Sequence, residues 1–194
     1  MIDAILVRHH GVEIFADDPE CILRASLRHL EAPVQLPDGT RLEAGSKVIE
    51  IHFWNEHLPV IEQEGADMLW GRQFGRRLAY SLRLLAAHAR ADRRYEDFGV
   101  IHGRLGFIPG KDVDIMKGLA TRFGFILELE MAPGMRFWTE PFWAGVYSWW
   151  LMWTFNPTTL RRKHFRDIAL SDLWMTRETL LGRYGEGPRE SGTL

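Results

Sequence analysis

An α+β fold follows from three observations on this chain of 194 residues. Four short segments carry apolar and polar side chains at strand spacing, one long segment repeats them at helical spacing, and Pro/Gly turns mark most of the boundaries. The predicted architecture is a small, mainly antiparallel sheet packed by a long helix, with a Trp-rich C-terminal helical arm. Length favours one domain with a core of its own. Within it, 1–136 reads as the α+β core, 137–185 as a Trp-rich and basic helical arm packed on or extending that core, and 186–194 as a frayed tail.

Residues 2–10 fit a short helix or an opening strand equally well. Cys21 to Leu30 alternates, with Ile22, Arg24, Ser26 and Arg28 on one face and Leu23, Ala25 and Leu27 on the other. Leu36-Pro37-Asp38-Gly39-Thr40 reads as a hairpin turn, because Pro presets φ and Gly accepts a positive one. Ala44-Gly45-Ser46 makes a second break. Lys47 to Trp54 is the clearest strand: Ile49, Ile51 and Phe53 face one way, Glu50, His52 and Trp54 the other. Asp67 to Arg90 has a helical apolar stripe through Leu69, Phe74, Leu78, Ser81, Leu82, Leu85 and Ala89, with Arg72, Arg76, Arg83 and Arg90 opposite. Gly99 to Ile108 is a strand ended by Pro109-Gly110. Asp112 to Phe123 is a short helix capped by Gly124, and Phe125 to Met131 is a further strand. Pro141 and Pro157 each stand at a helix start. After the second, Phe165, Ile168, Ala169, Leu173 and Leu180 recur at helical spacing.

Composition removes several function classes. A net charge of −2 gives no generic nucleic-acid footprint. The single cysteine, Cys21, excludes an internal disulfide and a Cys-based zinc site, and its apolar surroundings point to a buried structural thiol. The N-terminal apolar run is too short for a secretory leader. No serine lies in a G-x-S-x-G context and no phosphate-loop or HExxH motif is present. No cofactor and no metal site is indicated.

Two constellations stand out. From Phe137 to Phe155, nine of nineteen residues are aromatic, among them Trp143, Trp149, Trp150 and Trp153. The charge-free stretch ends at Arg161, Arg162, Lys163 and Arg166. As a helix, Pro141 to Phe155 spans about 22 Å, too short for a hydrocarbon core of roughly 30 Å. Such a block packs a core or a homodimer interface, stacks on sugars, or seats at a lipid headgroup boundary, where the cations meet anionic lipid. The second constellation is His52, Asn55, Glu56 and His57, where a strand runs out into a loop. A histidine beside a carboxylate there acts as a general base or ligand contact, or else Glu50 and His52 simply line a sheet face. His9, His10, His29, His88 and His102 are scattered, and nothing in the sequence makes them converge.

The run VIEIHFWNEHLP (Val48–Pro59), after the hairpin LPDGTRLEAGSKV and before the helix GRRLAYSLRLLA (Gly75–Ala86), resembles the bacterial YkoP-like domain family. The shared pattern is a strand ending in hydrophobic–His–x–x–Asn, here Ile51, His52 and Asn55. The resemblance implies a bacterial protein with relatives fused to polysaccharide-deacetylase-like domains in cell-envelope contexts, and it implies no established catalytic residues. The expectation from the sequence is therefore a non-enzymatic peripheral membrane or lipid-associated protein, cytoplasmic at the inner membrane face. Its partner would be an anionic membrane surface or lipid, with no nucleic acid. The alternatives are an enzyme or small-ligand binder of envelope lipid or glycan precursors through His52, Asn55, Glu56 and His57, and a homodimerising structural module.

Overall fold

The computed structural model describes residues 11–59, 68–107, 113–129 and 169–186. Trp143, Trp149, Trp150, Trp153, Arg161, Arg162, Lys163 and Arg166 lie outside the described residues. In chain order the elements are β1 (Leu23–His29), β2 (Val34–Gln35), β3 (Arg41–Leu42), β4 (Lys47–Phe53), a 3-10 turn Asn55–His57 and α1 (Met68–Ala91). A second 3-10 turn (Arg93–Tyr95) then leads to β5 (Val100–Phe107), α2 (Val113–Arg122), β6 (Ile126–Leu129), β7 (Ala169–Thr176) and α3 (Arg177–Tyr184). Among the described residues no helix is long and apolar enough to cross a membrane.

The five long strands form one sheet in the order β1-β4-β5-β7-β6, and β2 and β3 make a separate two-stranded ladder. The β1–β4, β5–β7 and β6–β7 pairs are antiparallel. The β4–β5 pair is parallel, because α1 carries the chain from the end of β4 back to the start of β5. The hairpin closes as its sequence predicts: Leu36 N–H donates to the Thr40 carbonyl at 2.8 Å and Gly39 takes φ 90°. Gly124 likewise ends α2 with φ 86°, its N–H donating to the Thr121 carbonyl at 2.9 Å.

One sheet face builds the main core. Register sets Leu23 opposite Phe53, Ala25 opposite Ile51, Ile49 opposite Ile101 and Ile101 opposite Met175. Onto this layer pack Leu78, Leu82, Leu85, Ala86 and Ala89 of α1, with Leu180 and Tyr184 of α3. Each of these leucines removed from water stabilises the fold by about 1.5–3 kcal/mol. Ser81, the one polar residue on the buried stripe of α1, is satisfied on both sides. Its Oγ accepts from Ile22 N–H at 2.8 Å and donates to the Arg77 carbonyl at 2.8 Å. Cys21 is a buried thiol, as its sequence context predicts; burial pushes its pKa up.

Two expectations are corrected. The helical spacing read through Ala169 and Leu173 does not make a helix there: 169–176 is strand β7, and helix begins at Arg177 after an N-cap by Thr176. The strand is internal, paired on both edges by β5 and β6, and side chains on both its faces are buried, so its apolar pattern loses a clear period. The apolar stripe of α1 also starts later than the sequence spacing indicates, since Leu69 is 61% exposed.

Candidate functional site

The strand alternation that turns apolar side chains toward the helices turns a polar set to the opposite face. That set comprises Arg24, Ser26 and Arg28 on β1, Glu50 and His52 on β4, His102 and Arg104 on β5, Asp172 and Trp174 on β7, and Glu128 on β6. Register places Arg24 beside His52, Ser26 beside Glu50, Glu50 beside His102, His102 beside Trp174, and Arg104 beside Asp172. One end of this face is dry, where Leu36 and Leu42 of the hairpin region close over Val48, Val100 and Trp174. The polar set occupies the rest, so the face runs from an apolar floor to a row of charges and imidazoles.

His102 is the most firmly positioned group. Its Nε2 lies 2.7 Å from Asp172 Oδ1, and its ring stacks on Trp174 with centroids 4.2 Å apart. The side chains of His102 and Asp172 are each 16% exposed. Burial pushes the Asp172 carboxyl up, but the His102 hydrogen bond and the Arg104 charge outweigh it, and the net shift is downward. An ionised carboxylate can only accept, so Nε2 carries a proton, and Nδ1, the other ring nitrogen, faces away from Asp172. Arg104 Nε also reaches Asp172 Oδ1, at 3.3 Å, and Trp174 Nε1 donates to Glu128 Oε2 at 3.2 Å. The imidazole is thus oriented on one edge and supported on one ring face.

A second cluster surrounds His52. Its Nε2 is 3.4 Å from Ser26 Oγ and 3.8 Å from Glu50 Oε2, and Glu50 is held by Arg28 at 3.0 Å. Ser26 is buried, so its hydroxyl bridges Glu50 and His52 without being open to attack a substrate. Arg24 is buried along its stem, stacks over the Trp54 ring at 4.8 Å, and pairs with Glu56 at 3.2 Å.

Of the four residues singled out in the loop-proximal constellation, the fold sets His52 opposite Arg24 in the strand register and pairs Glu56 with the Arg24 guanidinium. His57 turns inward: its Nδ1 meets the Cys21 carbonyl at 2.8 Å and its ring stacks on Trp54 at 3.8 Å. Its backbone carbonyl accepts from Arg77 at 2.8 Å, which ties the turn to α1. Asn55 opens the turn, and its side chain lies outside the described residues. His102, Asp172, Arg104 and Trp174 escape sequence reasoning. The signal available was the alternation of β5, which sets His102 and Arg104 on one face. Among the described residues no three His, Cys, Asp or Glu side chains are grouped to hold a metal ion. The arginine run of α1 is a solvated face in which Arg76 and Arg77 pair with Glu20 at 3.4 and 2.7 Å.

The family model of the YkoP domain matches residues 1–184. No curated protein and no solved structure matches the chain.

Proposed function

Since the chain belongs to the YkoP domain family, whose model spans every strand of this sheet, we propose that the polar sheet face is the family's working surface in this protein: a small-ligand site that does acid–base chemistry. His102 accepts a proton at Nδ1, Asp172 fixes its tautomer and stabilises the imidazolium that forms, and His52 and Glu56 contact the ligand beside Arg24. The observation that carries this reading is the His102–Asp172 pair at 2.7 Å, stacked on Trp174. Arg24 and Arg104 edge the face with guanidinium groups, which suits polar, anionic ligands such as sugar or glycerol phosphates of envelope lipid and glycan precursors. The test is imidazole carbon–proton correlation spectra recorded with a panel of such phosphates and dicarboxylates. A ligand should perturb His102 and His52 together and leave His88, which packs on Tyr95 within the helical layer, unchanged. Spectra that stay still across the panel, or shifts confined to His88, refute the proposal.

A second reading rests on the sequence order in which Trp143, Trp149, Trp150 and Trp153 precede Arg161, Arg162, Lys163 and Arg166. In this reading the segment seats the protein at an anionic membrane surface on the cytoplasmic side, indoles among the acyl chains and cations at the headgroups. Co-sedimentation with anionic but not neutral vesicles, weakened by salt and accompanied by a blue shift of tryptophan emission, is the expected result. An emission maximum already blue and no vesicle binding removes this reading; a concentration-dependent mass would then assign the indoles to a homodimer interface.

A further inference from the structure

Away from the polar sheet face, the C-terminal end of α1, the turn after it, the start of β5 and the first turns of α3 converge. They enclose a cleft of about 320 Å³ whose lining includes Arg90, Arg93, Glu96, Phe98, Arg177 and Leu181. Three arginines and one glutamate thus line the cleft. The next carboxylate in sequence, Asp97, is engaged by Lys47 of β4 and also lies close enough to feel the charge of Arg177. Phe98 is buried and gives the cleft an apolar floor, with Leu181 beside it.

The arginines are unequally committed. Arg90 donates one Nη to the Gly185 carbonyl, which fixes its head at the cleft. Arg177 lies over the Phe98 ring, with Cζ 5.8 Å from the centroid. Its Nε is shut off from solvent and has no hydrogen-bond partner among the described residues. Arg93 is exposed and makes no side-chain ion pair among the described residues.

We propose that this cleft binds a small phosphate ester, with Arg177 and Arg93 donating to the phosphate oxygens and Arg90 holding the far edge. Guanidinium forks match a tetrahedral oxyanion in paired hydrogen bonds. The volume is at the lower end for a ligand pocket, which limits the alcohol part to a few carbons. Glu96 at the same cleft accepts from a hydroxyl on that alcohol, and the Phe98–Leu181 floor takes its carbons. Glycerol phosphate has this composition, free as a monoester or, as a diester, in the headgroup of an anionic lipid. The site is separate from the His102 face and does not depend on its role.

Titration calorimetry of the full chain with glycerol phosphate, and separately with inorganic phosphate, tests the proposal. The expected result is saturable binding, tighter for glycerol phosphate, weakened at least tenfold by Arg177→Gln and several-fold by the exposed Arg93→Gln. Glu96→Gln should erase the preference for glycerol phosphate over phosphate. Arg41→Gln, a surface control in the hairpin, should change nothing. Vesicles containing phosphatidylglycerol, against phosphatidylcholine alone, separate the two sources: vesicle binding lost in Arg93→Gln assigns the headgroup, and binding of the free ester alone assigns a soluble ligand. No saturable binding to either free anion or to vesicles overturns the proposal. So does an equal loss in Arg41→Gln, or binding that survives Arg93→Gln when Arg177→Gln does not fold.

Discussion

The two faces of the sheet are made by the same strands, yet they spend their side chains differently. Toward the helices, Ile49, Ile101 and Met175 are fully buried and touch carbon. One residue away on each strand, Glu50, His102 and Trp174 share a face with Asp172, where His102 bonds Asp172 and stacks on Trp174, Trp174 donates to Glu128, and Glu50 pairs with Arg28. The first arrangement yields stability in proportion to apolar area. The second gains little net stability, since each hydrogen bond replaces one to water, but it fixes atoms in defined positions. Damage to one face should therefore unfold the protein, whereas damage to the other should change what the protein binds before it changes whether it folds.

The largest effect tests the apolar side. Leu82 is 0% exposed at the middle of α1 and packs in the main core. Leu82→Ala should lower unfolding stability by about 2–5 kcal/mol, the cost of lost transfer energy plus a cavity. Denaturant unfolding followed by circular dichroism measures this. A loss below about 1 kcal/mol breaks the comparison, because the helical layer would then not be the stabilising one.

Next comes the pH dependence of the polar face. The folded Asp172 carboxyl titrates below its ordinary value. Its contribution to stability is therefore fully present above the unfolded value, near 4, and disappears as pH falls through the folded one. Asp172→Asn should cost on the order of 1 kcal/mol at neutral pH and nothing at low pH, where the two unfolding curves converge. The same variant should abolish any ligand-induced shift at His102, because the amide no longer fixes the proton on Nε2. A constant stability gap from neutral to acid pH would mean that the carboxylate acts through shape and not charge. Trp174→Phe is milder: it keeps a ring under His102 and removes the N–H bond to Glu128, a loss of about 1 kcal/mol at most. Ligand shifts at His102 should persist in it.

How much of this could be read from the chain depended on how many sides of a segment are wetted. β4 was legible to within a residue because one of its faces is apolar and the other polar, which gives a clean period of two. The hairpin turn was legible because Pro37, Asp38 and Gly39 leave the backbone little choice. β7 was not, since the sequence ALSDLWMT buries Ser171, Leu173 and Met175 on one side and Trp174 on the other, and its apolar spacing fits a helix as well. Misreading β7 also hid Asp172, and with it the partner of His102, which lies 70 residues earlier in the chain. No spacing rule links residues so far apart; only strand pairing does. His52 and Glu56 could be chosen from the sequence because they lie in one loop-proximal run. The Cys21 carbonyl that occupies His57 Nδ1 could not be foreseen, as it depends on β1 starting beside the turn.

The smallest effect separates the two halves of the polar face. Glu56 pairs with Arg24 at 3.2 Å, but its side chain is 52% exposed, so water screens the pair. Glu56→Gln should change stability by no more than about 0.5 kcal/mol. Arg24 stays in place through its buried stem and its stack on Trp54. If Glu56 is a ligand contact, binding to the His52–His102 face should nonetheless change in this variant, tightening for an anion and weakening for a cation or a hydroxyl donor. Unaltered binding, with His102→Gln still abolishing it, would confine the site to the His102–Asp172 end of the sheet and leave the Glu56–Arg24 pair as a structural brace.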